Sequence, residues 1–103
     1  MVEIAAHLNE IIAQVFTQCG LPFSTLDEAI EGIDPLIAEA VRDDAIQHIT
    51  EAMGHAKQGH HLRVMQSANG FVVTMNEAID LSLDAVGLIT EVIMGAVPKG
   101  DVP

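Results

Sequence analysis

DPLIAEAVRDDAIQHITEAMGHAKQGHH, Asp34 to His61, decides the fold. Asp34 followed by Pro35 is an N-cap residue with proline at the first helical position, where the missing N–H costs nothing and φ is already set. Beyond it Ala45, Ile46, Ile49, Ala52, Met53 and Ala56 return at helical spacing on one face. Gly59 supplies the conformation that ends a helix. The stretch predicts a helix from about Pro35 to Gln58, a tight turn, and a new helix opening at His60 or His61.

The same logic extends outward. Ile4, Leu8, Ile11, Ile12, Val15, Phe16 and Cys19 line one face of a first helix, which Gly20 and Pro22 stop. Ser24 and Thr25, with Asp27 and Glu28 three residues on, form overlapping capping boxes that open a short second helix, interrupted at Gly32. Downstream, one helical pattern runs to about Val97 through Met65, Ala68, Val72, Met75, Ile79, Leu83, Val86 and Ile93. Its weakest point is Ala68-Asn69-Gly70, where a kink or break is expected. The fold class is therefore all-α: a small up-and-down helical bundle of three to four main helices plus a short one. Residues 1–97 form a single domain and 98–103 a flexible tail. LNEII, LDEAI, ITEAM, MNEAI and ITEVI share one apolar–polar–Glu–apolar–apolar word. Any amphipathic acidic helix produces such words, and so does descent from a repeated helical hairpin.

Composition narrows the partners. Fifteen acidic against four basic residues give a formal charge of −11, which repels nucleic-acid phosphate and anionic lipid and attracts cations and basic proteins. No nucleic-acid partner is expected. Half the residues are apolar, but three phenylalanines are the only aromatics, so the core is aliphatic. The most hydrophobic segment, 71–97, carries Glu77, Asp80, Asp84 and Glu91, which argues against a membrane span. Cys19 stands alone, excluding an internal disulfide or a four-thiolate zinc site; its helical position suggests a buried structural thiol. The opening MVEIAAHLNE has no basic segment and no apolar run, so the chain is expected to be cytoplasmic as written, or periplasmic if a signal has been removed.

Four of the five histidines lie between residues 48 and 61. At about 100° per residue, Asp44, His48, Glu51 and His55 fall in one stripe beside the apolar face. Glu3, His7 and Glu10 repeat the spacing of Asp44, His48 and Glu51. Neutral imidazole and carboxylate suit Zn²⁺, Cu²⁺ and Ni²⁺, and residues three or four apart on a helix are neighbours. The candidate metal ligands are His48, Glu51, His55, His60, His61, His7 and Glu10, and the expected cofactor is a divalent transition metal, Cu²⁺ or Zn²⁺. One helix cannot complete a tetrahedral shell, so further ligands must come across the turn, from the first helix or from another subunit. The Glu-x-x-His order of di-iron carboxylate bundles is absent.

The shared pattern Ala45-x-x-His48-x-x-x-Ala52-x-x-His55-x-x-x-Gly59-His60 resembles the repeat of the small metal-binding proteins of nitrifying bacteria, which are His-rich helical bundles; AHLNEII, Ala6 to Ile12, is similar to their helix-opening unit. The resemblance covers about a quarter of the chain. It implies a periplasmic four-helix-type bundle that buffers or stores divalent metals, copper among them, with His7, His48, His55 and His60 as ligands. This chain departs from the pattern where further histidines are expected, carrying Gln14, Ser67 and Leu81, and its late helices are more apolar. The expected capacity is one or two ions per chain, or none.

No phosphate loop, Cys-x-x-Cys or activated nucleophile occurs, so no enzymatic activity is expected. Met53 and Met65 near the histidines are core residues by spacing. Two functions from different classes remain: a small acidic metal-binding protein, and a helical dimerisation or adaptor module. The second rests on the long apolar stripe after Met65, widened by Phe71, Val73, Leu81 and Leu88, more than so small a chain can hide; a homo-oligomer is expected. Histidines beside carboxylates also allow a pH switch.

Overall fold

The structure, a computed structural model, describes residues 2–97, with side chains from His7 onward. It contains α1 (Val2–Gln18), α2 (Leu26–Ile30), α3 (Pro35–Lys57), α4 (His61–Met75) and α5 (Ala85–Ala96), and no strand among the described residues. This is an all-α helical bundle. The predicted tail, 98–103, and the side chain of Glu3 lie outside the described residues.

Local chemistry sets the helix ends as the sequence implies. Gly20 and Gly59 take φ of 73° and 77°, the left-handed region that glycine enters without a Cβ penalty. Thr25 and Glu28 form the reciprocal capping box; the backbone N–H of Ser24 adds a second bond to the Glu28 carboxylate, at 2.7 Å. Of the two overlapping boxes expected, this one forms, because Glu28 collects both amides. Asp34 accepts from the N–H of Leu36 at 2.9 Å, with Pro35 inside the first turn of α3.

The C-terminal half differs from expectation. The pattern expected to run from His60 or His61 to Val97 is two helices, separated by residues 76–84. Asn76 divides them. Its side-chain amide donates to the carbonyls of Val72 at 2.9 Å and Leu81 at 3.1 Å, while its oxygen accepts from the N–H of Leu81 at 3.0 Å. An Asn side chain that satisfies both the end of one helix and a residue five positions on replaces the bonds a continuous helix would make. Helical periodicity survives across the break, so hydrophobic spacing alone does not reveal it. Ala68-Asn69-Gly70, in contrast, neither breaks nor interrupts α4.

The core is drawn from every helix: Ile11, Val15 and Phe16 of α1, Val41 and Ile49 of α3, Val64, Phe71, Val72 and Met75 of α4, Ile89 and Ile93 of α5. Phe23 meets Phe16 edge-on at 6.1 Å between ring centroids, seating the link between α1 and α2. The α3–α4 hairpin is the most intimate pairing. Its seam is small, with Ala45, Ala52 and Ala56 buried on α3 and Ser67 and Ala68 on α4, which lets the two backbones approach closely. Phe71 and Leu81, expected as outer apolar positions, are buried core residues; Val73 and Leu88 remain outward. Among the described residues no buried side-chain polar atom lacks a partner, and no helix is long and apolar enough to cross a membrane.

Candidate functional site

The α3–α4 hairpin carries His48, Glu51, His55, His60 and His61, and its geometry divides them. His48 and Glu51 lie one turn apart on α3 with Nδ1 and Oε1 3.7 Å from each other, too long for a hydrogen bond but within reach of a shared ion. Two donors each about 2.1 Å from a tetrahedral ion stand about 3.4 Å apart, so the pair needs little adjustment. His55 occupies the last turn of α3, half-buried; its carbonyl accepts from the N–H of His60 at 2.9 Å, closing the turn. His60 is the N-cap of α4 without a side-chain capping bond, and His61 opens the helix; both are exposed. His7, half-buried, and Glu10, exposed, sit on α1. Among the described residues no three His, Cys, Asp or Glu side chains gather around one point. Of the seven candidate ligands the structure therefore joins two, His48 and Glu51.

His48 has a second role that its spacing does not announce. A Cβ built on Gly70 would stand 2.7 Å from Cε1, 2.8 Å from Nδ1 and 3.1 Å from Nε2 of the His48 ring. The imidazole therefore lies against the bare backbone of α4. His48 and Gly70 are each eleven residues from Gly59, as an antiparallel hairpin folded at that glycine requires. Gly70 is thus a landing place for His48 rather than a hinge.

The residues that sequence reasoning missed are at the hairpin's tip. From Ala52 to Asn76 there is no Asp or Glu, although the chain holds fifteen. That segment contains Lys57 and Arg63, half the chain's four cations, together with His55, His60 and His61. Leu62 stands among them, 73% exposed. The signal was legible as a run without carboxylates; counting histidines as ligands obscured it. Leu62 also borders a shallow groove of about 380 Å³ with Met65, Gln66, Asn69 and Val86, where α5 meets α4.

The opposite end of α3 has the reverse charge. Residues 27–44 carry seven carboxylates and one cation, Arg42, whose Nε donates to Asp27 at 3.2 Å. Leu36 projects there, 81% exposed, with Ile37 half uncovered beside it. Leu83, in the segment between α4 and α5, is 73% exposed.

Cys19 follows α1, half-buried, and burial pushes its thiol above the ordinary value, in keeping with a structural rather than reactive cysteine. Comparison with protein-family models, with curated proteins and with solved structures finds no match.

Proposed function

We propose that this chain is a helical interaction module, docking another protein surface through aliphatic side chains that its own core leaves uncovered. One observation carries the reading: Leu36, Leu62 and Leu83 are each at least 73% exposed while twenty-two other apolar residues are buried. A single exposed leucine is ordinary, but each one covered by a partner contributes on the order of 2 kcal/mol, and three together offset much of the entropy lost on association. Light scattering across the micromolar range tests it, with association expected. A chain that stays monomeric throughout and captures no partner surface through Leu62 would count against the reading.

A second reading, coordination of Cu²⁺ or Zn²⁺, is supported by the 3.7 Å spacing of His48 Nδ1 and Glu51 Oε1. It requires at least one further ligand from outside this pair, most simply from another copy of the chain. Calorimetric titration of metal-free protein with each ion, repeated on His48→Ala, tests it. Binding weaker than about 0.1 mM, only ~5.5 kcal/mol, would end it.

A further inference from the structure

α3 is electrically polarised from end to end. Its first turns sit in the segment 27–44, of formal charge −6, and its last turn opens the segment 52–76, of formal charge +2 with the histidines neutral. The two ends are about 30 Å apart by helical rise, so the opposed charges do not neutralise each other within one molecule. Each end also presents an exposed aliphatic anchor: Leu36 with Ile37 at the acidic end, Leu62 at the basic tip. We infer that the partner this module docks is a second copy of itself, joined head to tail, the basic tip of one chain seated on the acidic end of the next.

The occupant follows from charge. Two tips facing each other bring like charges together, as do two acidic ends, and like-charge juxtaposition is unfavourable. Tip against acidic end places Lys57 and Arg63 beside Glu31, Asp34 and Glu39 and lets Leu62 meet Leu36. The total charge of −11 does not forbid this. Molecules with a long extent of 47 Å are screened from one another beyond about 8 Å at physiological salt, so the local complement decides. Because the two surfaces differ, the contact is heterologous and does not close as a twofold dimer; copies add to copies.

This inference rests on the docking reading above, and complementation separates the two. A tip variant, Lys57→Gln/Leu62→Ser/Arg63→Gln, and an end variant, Glu31→Gln/Leu36→Ser/Glu39→Gln, change only exposed side chains and leave the two altered surfaces without complementary charge. Circular dichroism and melting establish that both fold. Each alone is expected to be monomeric in light scattering, whereas an equimolar mixture forms a heterodimer and nothing larger, since one intact tip and one intact acidic end remain. In the unmodified chain, raising NaCl from about 20 mM to about 500 mM is expected to weaken association about tenfold, as the screening length falls from about 20 Å to about 4 Å. An end variant that still associates, a mixture that stays monomeric while the unmodified chain associates, or association indifferent to salt overturns the head-to-tail arrangement and leaves the docking reading standing. An unmodified chain that is monomeric at every concentration and salt overturns both.

Discussion

Replacing Gly70 with alanine separates two effects that ordinarily travel together. In a helix interior alanine is favoured over glycine by about 1 kcal/mol, because glycine loses more backbone freedom on folding. Gly54, in α3, is the reference: nothing lies within 4 Å of a Cβ built there, so Gly54→Ala is expected to gain close to that full amount. At Gly70 the new methyl would stand 2.7 Å from Cε1 of His48. Ordinary carbon contacts lie near 3.5–4.0 Å, so the ring must retreat by about 1 Å. It sits at the end of two torsions with its side chain 31% exposed, and can swing outward. Doing so gives up its contact with α4 and costs about 0.5–1.5 kcal/mol in strained torsion or lost packing. The two terms nearly cancel, and Gly70→Ala is expected to fall within about 0.5 kcal/mol of neutral.

Urea unfolding followed by far-ultraviolet circular dichroism measures the difference. In a His48→Ala background the obstacle is gone, and Gly70→Ala is expected to stabilise by the same ~1 kcal/mol as Gly54→Ala, about 4 °C in Tm. The cycle should therefore show a coupling of about 0.5–1.5 kcal/mol between positions 48 and 70. If Gly70→Ala stabilises the unmodified protein as much as Gly54→Ala does, the close fit of His48 on α4 is wrong.

Three further outcomes are expected. Asn76→Ala removes a side chain that makes three hydrogen bonds where α4 ends, one to Val72 and two to Leu81; each contributes about 1 kcal/mol, so a loss of about 3 kcal/mol in unfolding free energy is expected, and a change under ~0.5 kcal/mol would deny Asn76 that role. Phe71→Ala is expected to cost about 3–5 kcal/mol in urea unfolding and Val73→Ala under ~0.5 kcal/mol, because the first side chain is fully buried and the second largely exposed; similar costs would return Phe71 to the surface. For Cys19 the folded chain holds the thiol proton to higher pH than the unfolded chain, because burial disfavours the thiolate. The unfolded state thus binds fewer protons in alkali, and stability present below the ordinary thiol value should fall as pH rises through it toward the folded value. Cys19→Ser should flatten that slope, and an unchanged slope would assign it to other groups.

Helix ends were legible in the sequence because they are local: Gly20, Thr25, Asp34-Pro35 and Gly59 act through their own backbone or a residue three positions away. The break after Met75 was not, because Asn76 and Leu81 find each other only once the chain has turned. Gly70 shows the same limit from the other side. A glycine inside a helical pattern signals weakness by propensity, yet here it answers a ring eleven residues beyond the turn on another helix. Phe71 and Leu81 are superfluous to a single stripe when the sequence reads as one continuous helix through Val97; with α4 and α5 as separate helices folded on one another, both side chains are buried in the core.

The histidine stripe, too, carried two meanings that spacing cannot separate. Placing acid, His and Glu on one face of α3 brings His48 to Glu51, but the same register puts the imidazole over α4, where the partner is Gly70 rather than a third ligand. The remaining imidazoles of α3 and α4 follow the hairpin to its tip, where they accompany Lys57 and Arg63 and no carboxylate lies in the chain from Ala52 to Asn76. A dication site gathers carboxylates around the rings; a surface meant for an acidic protein segregates them. With fifteen acids in 103 residues, the twenty-five consecutive positions 52–76 are the longest stretch of the chain without one. Leu62 is exposed in that stretch, and in the docking proposed above charge would bring the surfaces together and the leucine slow their parting.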